Sequence, residues 1–167
     1  MSLTLSLVRH AKSAWDDPEL EDFERPLNAR GRRDAPRMAQ LAATQCAQVP
    51  ILLSSPAVRA ITTARRFAEA FDIDARTMRI DARLYEASAG DWCEVLQSQP
   101  DDGKALMAFG HNPGISAFAA WLCPDMRGVE MPTAALLILE LECQRWAELA
   151  PDCARRIAYH RPRDVEA

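Results

Sequence analysis

The sequence has no Cys-x-x-Cys pair. Its five cysteines, Cys46, Cys93, Cys123, Cys143 and Cys153, are odd in number and widely spread. That pattern argues against a disulfide framework or a zinc site and reads as reduced thiols. No stretch approaches the ~20 apolar residues a membrane helix needs. No basic segment followed by a long apolar one opens the chain, so no secretory signal is expected. Positive charge is not in excess either. The formal net charge of -4 weighs against nucleic acid as a partner. Repeats, low-complexity tracts and linkers are missing as well. The expectation is one domain over residues 1–167, cytoplasmic, with neither membrane nor nucleic acid as partner.

What is present is an ordinary globular composition, 49% hydrophobic and 26% charged over 167 residues, long enough to bury a core. Apolar runs at 3–8, 51–53, 105–109 and 134–141 read as buried strands, with a weaker one at 78–80 and an edge strand at 156–159. Ala35, Met38, Ala39 and Ala42 repeat at helical spacing. Pro36 inside that pattern predicts a kink or a start nearer Arg32. Ser55-Pro56 reads as a cap with proline at the first helical position, followed by the stripe Ala57, Ala60, Ile61, Ala64, Phe67, Ala68 and Phe71. Further helices are expected over 90–97 and 113–123. Strands alternating with helices predict an α/β three-layer sandwich, a mostly parallel sheet with helices on both faces.

Three predicted strands end in polar groups. The first delivers Arg9-His10, the second Ser54-Ser55-Pro56 with Arg59 just beyond, and the fourth Gly110-His111-Asn112-Pro113. In a parallel sheet these tips share one edge, where ligands of open α/β sheets collect. Guanidinium groups match phosphate oxygens in planar, bidentate fashion, helix starts favour anions, and imidazole is a competent nucleophile. Arg9-His10 alone is as readily a surface pair, and His111 alone a loop histidine. Their joint arrangement favours a phosphate site.

Arg9-His10-Ala11 resembles the RHG motif of the histidine phosphatase superfamily, with alanine for glycine. Residues 54–64 resemble its SSPxxRAxxTA segment, Gly110-His111-Asn112 its GHN segment, and residues 25–31 its RPLTxxG loop. Length and motif details are most similar to SixA-like phosphohistidine phosphatases. The resemblance implies a phosphoglycerate mutase-like fold and His10 as the phosphoryl acceptor. It also implies Arg9 and Arg59 as a clamp on the equatorial oxygens, and His111 as donor to the developing charge. Water then hydrolyses the phosphohistidine and releases inorganic phosphate. Neither cofactor nor metal is implied, because two arginines and a second histidine supply the positive charge.

Glu86, after the weak third strand, stands where many members place a catalytic acid, and reads equally well as a solvated carboxylate. A phosphoramidate leaves as a nitrogen base that is easily protonated, whereas an ester expels a poor alkoxide, so an acid matters more for esters. Asn112, Ser13 and Arg25 are candidate substrate-binding residues; each has an equally simple reading as cap, packing or loop residue. The expected partner is a protein phosphorylated on histidine, or a small phosphorylated metabolite. Only about twenty residues separate Leu84 from the fourth strand, too few for a large lid over a small ligand. The competing readings are a small-molecule phosphomonoesterase and a phosphate-binding module without turnover.

Overall fold

The computed structural model describes residues 2–165. Six strands, β1 (Leu3–Arg9), β2 (Ile51–Ser54), β3 (Arg79–Ile80), β4 (Ala105–Gly110), β5 (Leu136–Leu141) and β6 (Ala154–His160), form one sheet in the order β3-β2-β4-β1-β5-β6. The pairs β1–β4, β2–β4 and β2–β3 are parallel; β5 and β6 add antiparallel pairings at one side. The four helices are α1 (Ala29–Gln45), α2 (Val58–Ala70), α3 (Ala89–Gln97) and α4 (Gly114–Leu122).

Alternation along the strands splits the core into two layers. Leu3, Leu5, Leu7, Leu106 and Ala108 face α3 and α4, meeting Trp92, Val95, Leu96, Ile115 and Phe118. Val8, Leu52, Met107 and Phe109 face α1 and α2, meeting Met38, Ala39, Ala42, Ala64 and Phe67. Strands buried on both faces are near-continuous apolar runs for this reason. Phe67 stands edge-on to Phe109 at 5.1 Å, and Phe118 stacks between Trp92 and Trp121. Such pairs contribute about 0.5–1.5 kcal/mol each beyond their burial. Among the described residues no helix is long and apolar enough to cross a membrane.

Three local expectations are corrected. First, α1 begins at Ala29 and continues through Pro36. Asn28 caps it by accepting from the Gly31 amide at 2.9 Å, and the buried face offsets the ~3 kcal/mol of an interior proline. Second, α2 begins at Val58, with Ala57 rather than Ser55 at the cap. Ser55 Oγ accepts from the Ala57 amide at 3.2 Å, so Pro56 precedes the helix instead of occupying its first position. Third, β5 begins at Leu136. Ala134 has φ of 64°, and its amide donates to the carbonyls of Arg9 and His10, which turns the chain away from the ladder.

Candidate active site

Because β2, β4 and β1 are adjacent and parallel, their C-terminal tips bring Ser55, His111 and His10 together. The His10 amide donates to the Gly110 carbonyl (3.0 Å) and the Ser55 amide to the Phe109 carbonyl (3.0 Å), stitching the three tips. His10, Arg59 and His111 are buried, and the two imidazole rings lie 5.1 Å apart, centroid to centroid.

Each ring has one nitrogen engaged. His10 Nδ1 lies 2.7 Å from the Ala11 carbonyl oxygen, a pure acceptor, so Nδ1 carries the proton and Nε2 keeps its lone pair. His111 Nε2 lies 2.8 Å from Ser55 Oγ. That hydroxyl accepts from Ala57, and Nε2 is the acceptor within reach of its own proton, so we assign that proton to Nε2 and the His111 proton to Nδ1. Burial pushes His10 down to about 3, and the charges of His111, Arg59 and Arg9 add to the effect while the Ala11 carbonyl opposes it. Burial likewise pushes His111 down to about 4, with Arg59 and Arg9 in support and Asp22 opposing. Both rings are therefore neutral near pH 7.

Arg9 Nη1 donates to the Met131 carbonyl at 2.9 Å, while its Nε is buried without a partner. His111 Nδ1 and Arg25 Nε are also buried and unpartnered. Only five such side-chain atoms occur among the described residues, and two of them, Arg9 Nε and His111 Nδ1, belong to residues that bear directly on His10. A buried donor left unpaired costs about 1–3 kcal/mol, so two beside one imidazole fit an anionic acceptor.

The profile of the histidine phosphatase superfamily (branch 1) matches residues 5–113. The chain belongs to that superfamily. An uncharacterized protein of Mycobacterium tuberculosis is 32% identical over 165 residues, spanning 93% of this chain and all of the relative. An uncharacterized chloroplastic protein of Arabidopsis thaliana is 30% identical over 157 residues, spanning 89% of this chain and 71% of the relative. Among solved structures, a candidate phosphohistidine phosphatase SixA from Agrobacterium tumefaciens is 28% identical with a TM-score of 0.80, covering 97% of this chain and 99% of its own. The protein histidine phosphatase SixA complexed with tungstate aligns at TM-score 0.82 and 20% identity over 98% and 100% of the two chains, a likeness of fold.

Around this cluster of the histidine phosphatase chain the remaining sequence-predicted residues take different places. Ser13 and Arg25 are both buried and hydrogen-bonded to each other, and the Arg25 guanidinium lies over the Trp15 ring, 3.1 Å from its centroid. Asn112 turns its side chain to the Met131 carbonyl (2.9 Å) and Ser116 Oγ (2.6 Å), so it ties α4 to the segment that holds Arg9. Glu86 is exposed with φ of 55° and joins none of these hydrogen bonds.

Sequence reasoning passed over Asp22, in the short turn Asp22–Glu24. Its carbonyl accepts from Arg59 Nη1 (2.6 Å), and its Oδ2 accepts from Arg59 Nη2 (2.9 Å) and from the Tyr85 hydroxyl (2.7 Å). Its Oδ1 accepts from Arg25 Nη1 at 3.1 Å. Burial works to raise the Asp22 carboxyl, but the bonds from Tyr85 and Arg59 and the charges of Arg59 and Arg25 outweigh it and hold it below the usual carboxylate range. The Tyr85 ring in turn stands edge-on to His111 at 5.7 Å. Thr63, part of the 54–64 segment, had been given no role of its own. Its hydroxyl accepts from the Ala11 amide (3.0 Å) and donates to the Arg59 carbonyl (2.8 Å).

Proposed function

We propose that this chain is a phosphatase that works through a phosphohistidine intermediate on His10, and that its substrate is a protein phosphorylated on histidine. The observation that carries this reading is the company His10 keeps. A neutral imidazole with a free Nε2 lies beside the charges of Arg9 and Arg59 and the His111 ring, and Arg9 Nε and His111 Nδ1 are buried donors without a partner.

In the proposed first step the Nε2 lone pair of His10 attacks phosphorus, and the bond from phosphorus to the leaving group breaks. Arg9, Arg59 and the Nδ1–H of His111 hold the equatorial oxygens, where charge spreads in the transition state. His10 is then a phosphoimidazolium, with its Nδ1 proton held by the Ala11 carbonyl. In the second step water attacks phosphorus, the P–N bond breaks, and its electron pair returns to Nε2. Imidazole leaves neutral, so the ring needs no proton from elsewhere. Positive charge comes from the arginines, and neutral His111 adds only the dipole of its N–H. The likeness to the Agrobacterium SixA candidate along almost the whole chain supports the phosphohistidine reading over an ester. The five free thiols fit a reducing, cytoplasmic setting.

The test is parallel turnover of a histidine-phosphorylated protein and a panel of phosphate monoesters, with His10→Ala as control. Wild type should dephosphorylate the protein and yield an acid-labile phosphoenzyme. His10→Ala should lose both while still binding vanadate in a thermal-shift assay. Turnover retained by His10→Ala would refute the assignment of the nucleophile.

A further inference from the structure

In an in-line displacement the leaving group departs opposite the nucleophile. His10, Arg59 and His111 are buried at 7%, 7% and 8% exposure, and a leaving group carried on another protein stays outside this chain, so it departs on the solvent side. The carboxylate held at that mouth is Asp22, whose side chain is 49% exposed and tied to Arg59, Arg25 and Tyr85. Its Oδ1 carries one hydrogen bond, from Arg25, and keeps capacity to accept another.

We propose that Asp22 is a specificity-determining residue: its carboxylate accepts the N–H of the departing phosphohistidine ring and so selects a cationic leaving group over an ester. The inference rests on the phosphohistidine reading above. One nitrogen of such a ring bears the phosphoryl group, and the other can carry a proton. When the protonated ring is attacked, the pair of the breaking P–N bond stays on the first nitrogen, the proton stays on the second, and neutral imidazole leaves. Unprotonated, the same ring would have to leave as an anion. Asp22 neither gives nor takes a proton in this step; it keeps the ring charged. Toward an ester it does the opposite, because the oxygen that leaves gathers negative charge beside a carboxylate.

An opposite charge within about 4–6 Å raises the pKa of a cation by a unit or more. Loss of the Asp22 charge should therefore cut the protonated fraction of the bound ring about tenfold. The experiment compares wild type with Asp22→Asn on two substrates, a protein phosphorylated on histidine with phosphoramidate, and p-nitrophenyl phosphate. Asn is isosteric and the residue is half-exposed, and urea midpoints confirm that both proteins are folded. The ratio of kcat/KM for the protein to kcat/KM for the aryl ester should fall about tenfold in Asp22→Asn. A ratio unchanged within twofold, with both activities lower, makes Asp22 a prop for Arg59 and overturns the inference alone. Wild type that hydrolyses the aryl ester and leaves phosphohistidine intact overturns the substrate reading, and this inference with it.

Discussion

Acid should destabilise this protein through two imidazoles before it reaches most carboxylates. Burial holds His10 near 3 and His111 near 4, against about 6.5 for a histidine in an unfolded chain. Below pH 6.5 the unfolded chain binds two protons that the native state does not, so stability rises with pH. The contribution is complete above the unfolded value and is lost as pH falls from about 6.5 toward 3–4. Between pH 7.5 and 5.0 the loss is about 2 kcal/mol for each ring and roughly 4 kcal/mol for the pair. That is a large part of the 5–15 kcal/mol that typically separates folded from unfolded domains. Urea titrations at half-unit pH steps measure it; with an m-value of about 2 kcal/mol/M, the midpoint should fall by about 2 M across the window. The double variant His10→Gln/His111→Gln should lose most of this slope at an unchanged m-value. If wild type and double variant weaken in parallel, burial is not what keeps these rings neutral, and the case for a ready lone pair on His10 fails.

Two further substitutions probe the frame and the open role. A Cβ at Gly110 would lie 2.3 Å from Cζ2 of the buried Trp92, so Gly110→Ala should cost about 3 kcal/mol. Calorimetry should show it as a Tm lower by roughly 6–12 °C; a drop below 2 °C would mean that Trp92 yields freely. Glu86→Gln should leave phosphohistidine turnover within about twofold of wild type and reduce alkyl ester turnover more, because only the alkoxide needs an acid. Equal losses on both substrates would count against that division.

Arg9, His10, Arg59 and His111 were legible because each sits at or just beyond the end of an apolar strand, where parallel topology alone forces convergence. The two-layer core was legible for a related reason: alternation along β1 and β4 sorts residues to opposite faces without any loop being known. Asp22 and Tyr85 were not legible. They lie in segments without periodicity, and the segment of Asp22 is positioned by the backbone pairing of residues 12–14 with 26–28, through Ala14 to Pro26 and Asn28 to Lys12. Asn112 carries a motif position, but which way its amide turns is set by the Met131 carbonyl, a partner no spacing rule supplies. The Pro36 and Ser55 boundaries failed because local rules were outweighed by burial of the α1 face and by a hydroxyl bonded to Ala57 one step before the helix.

The Thr63 hydroxyl, which joins the Ala11 amide to the Arg59 carbonyl, has a kinetic consequence. Ala11, the residue after the nucleophile, and Arg59, the clamp residue itself, are fastened by one small group with no spare donor. Nucleophile and clamp are thus parts of one cooperative unit, and neither can loosen on its own. The Ala11 amide meets solvent only when β1 and α2 part, an opening that belongs to the slow, global end of the protein's fluctuations. In this fold the spacing between attack and charge stabilisation is held with the stability of the core, while Asp22 is fastened to the clamp from an exposed turn by side-chain bonds alone.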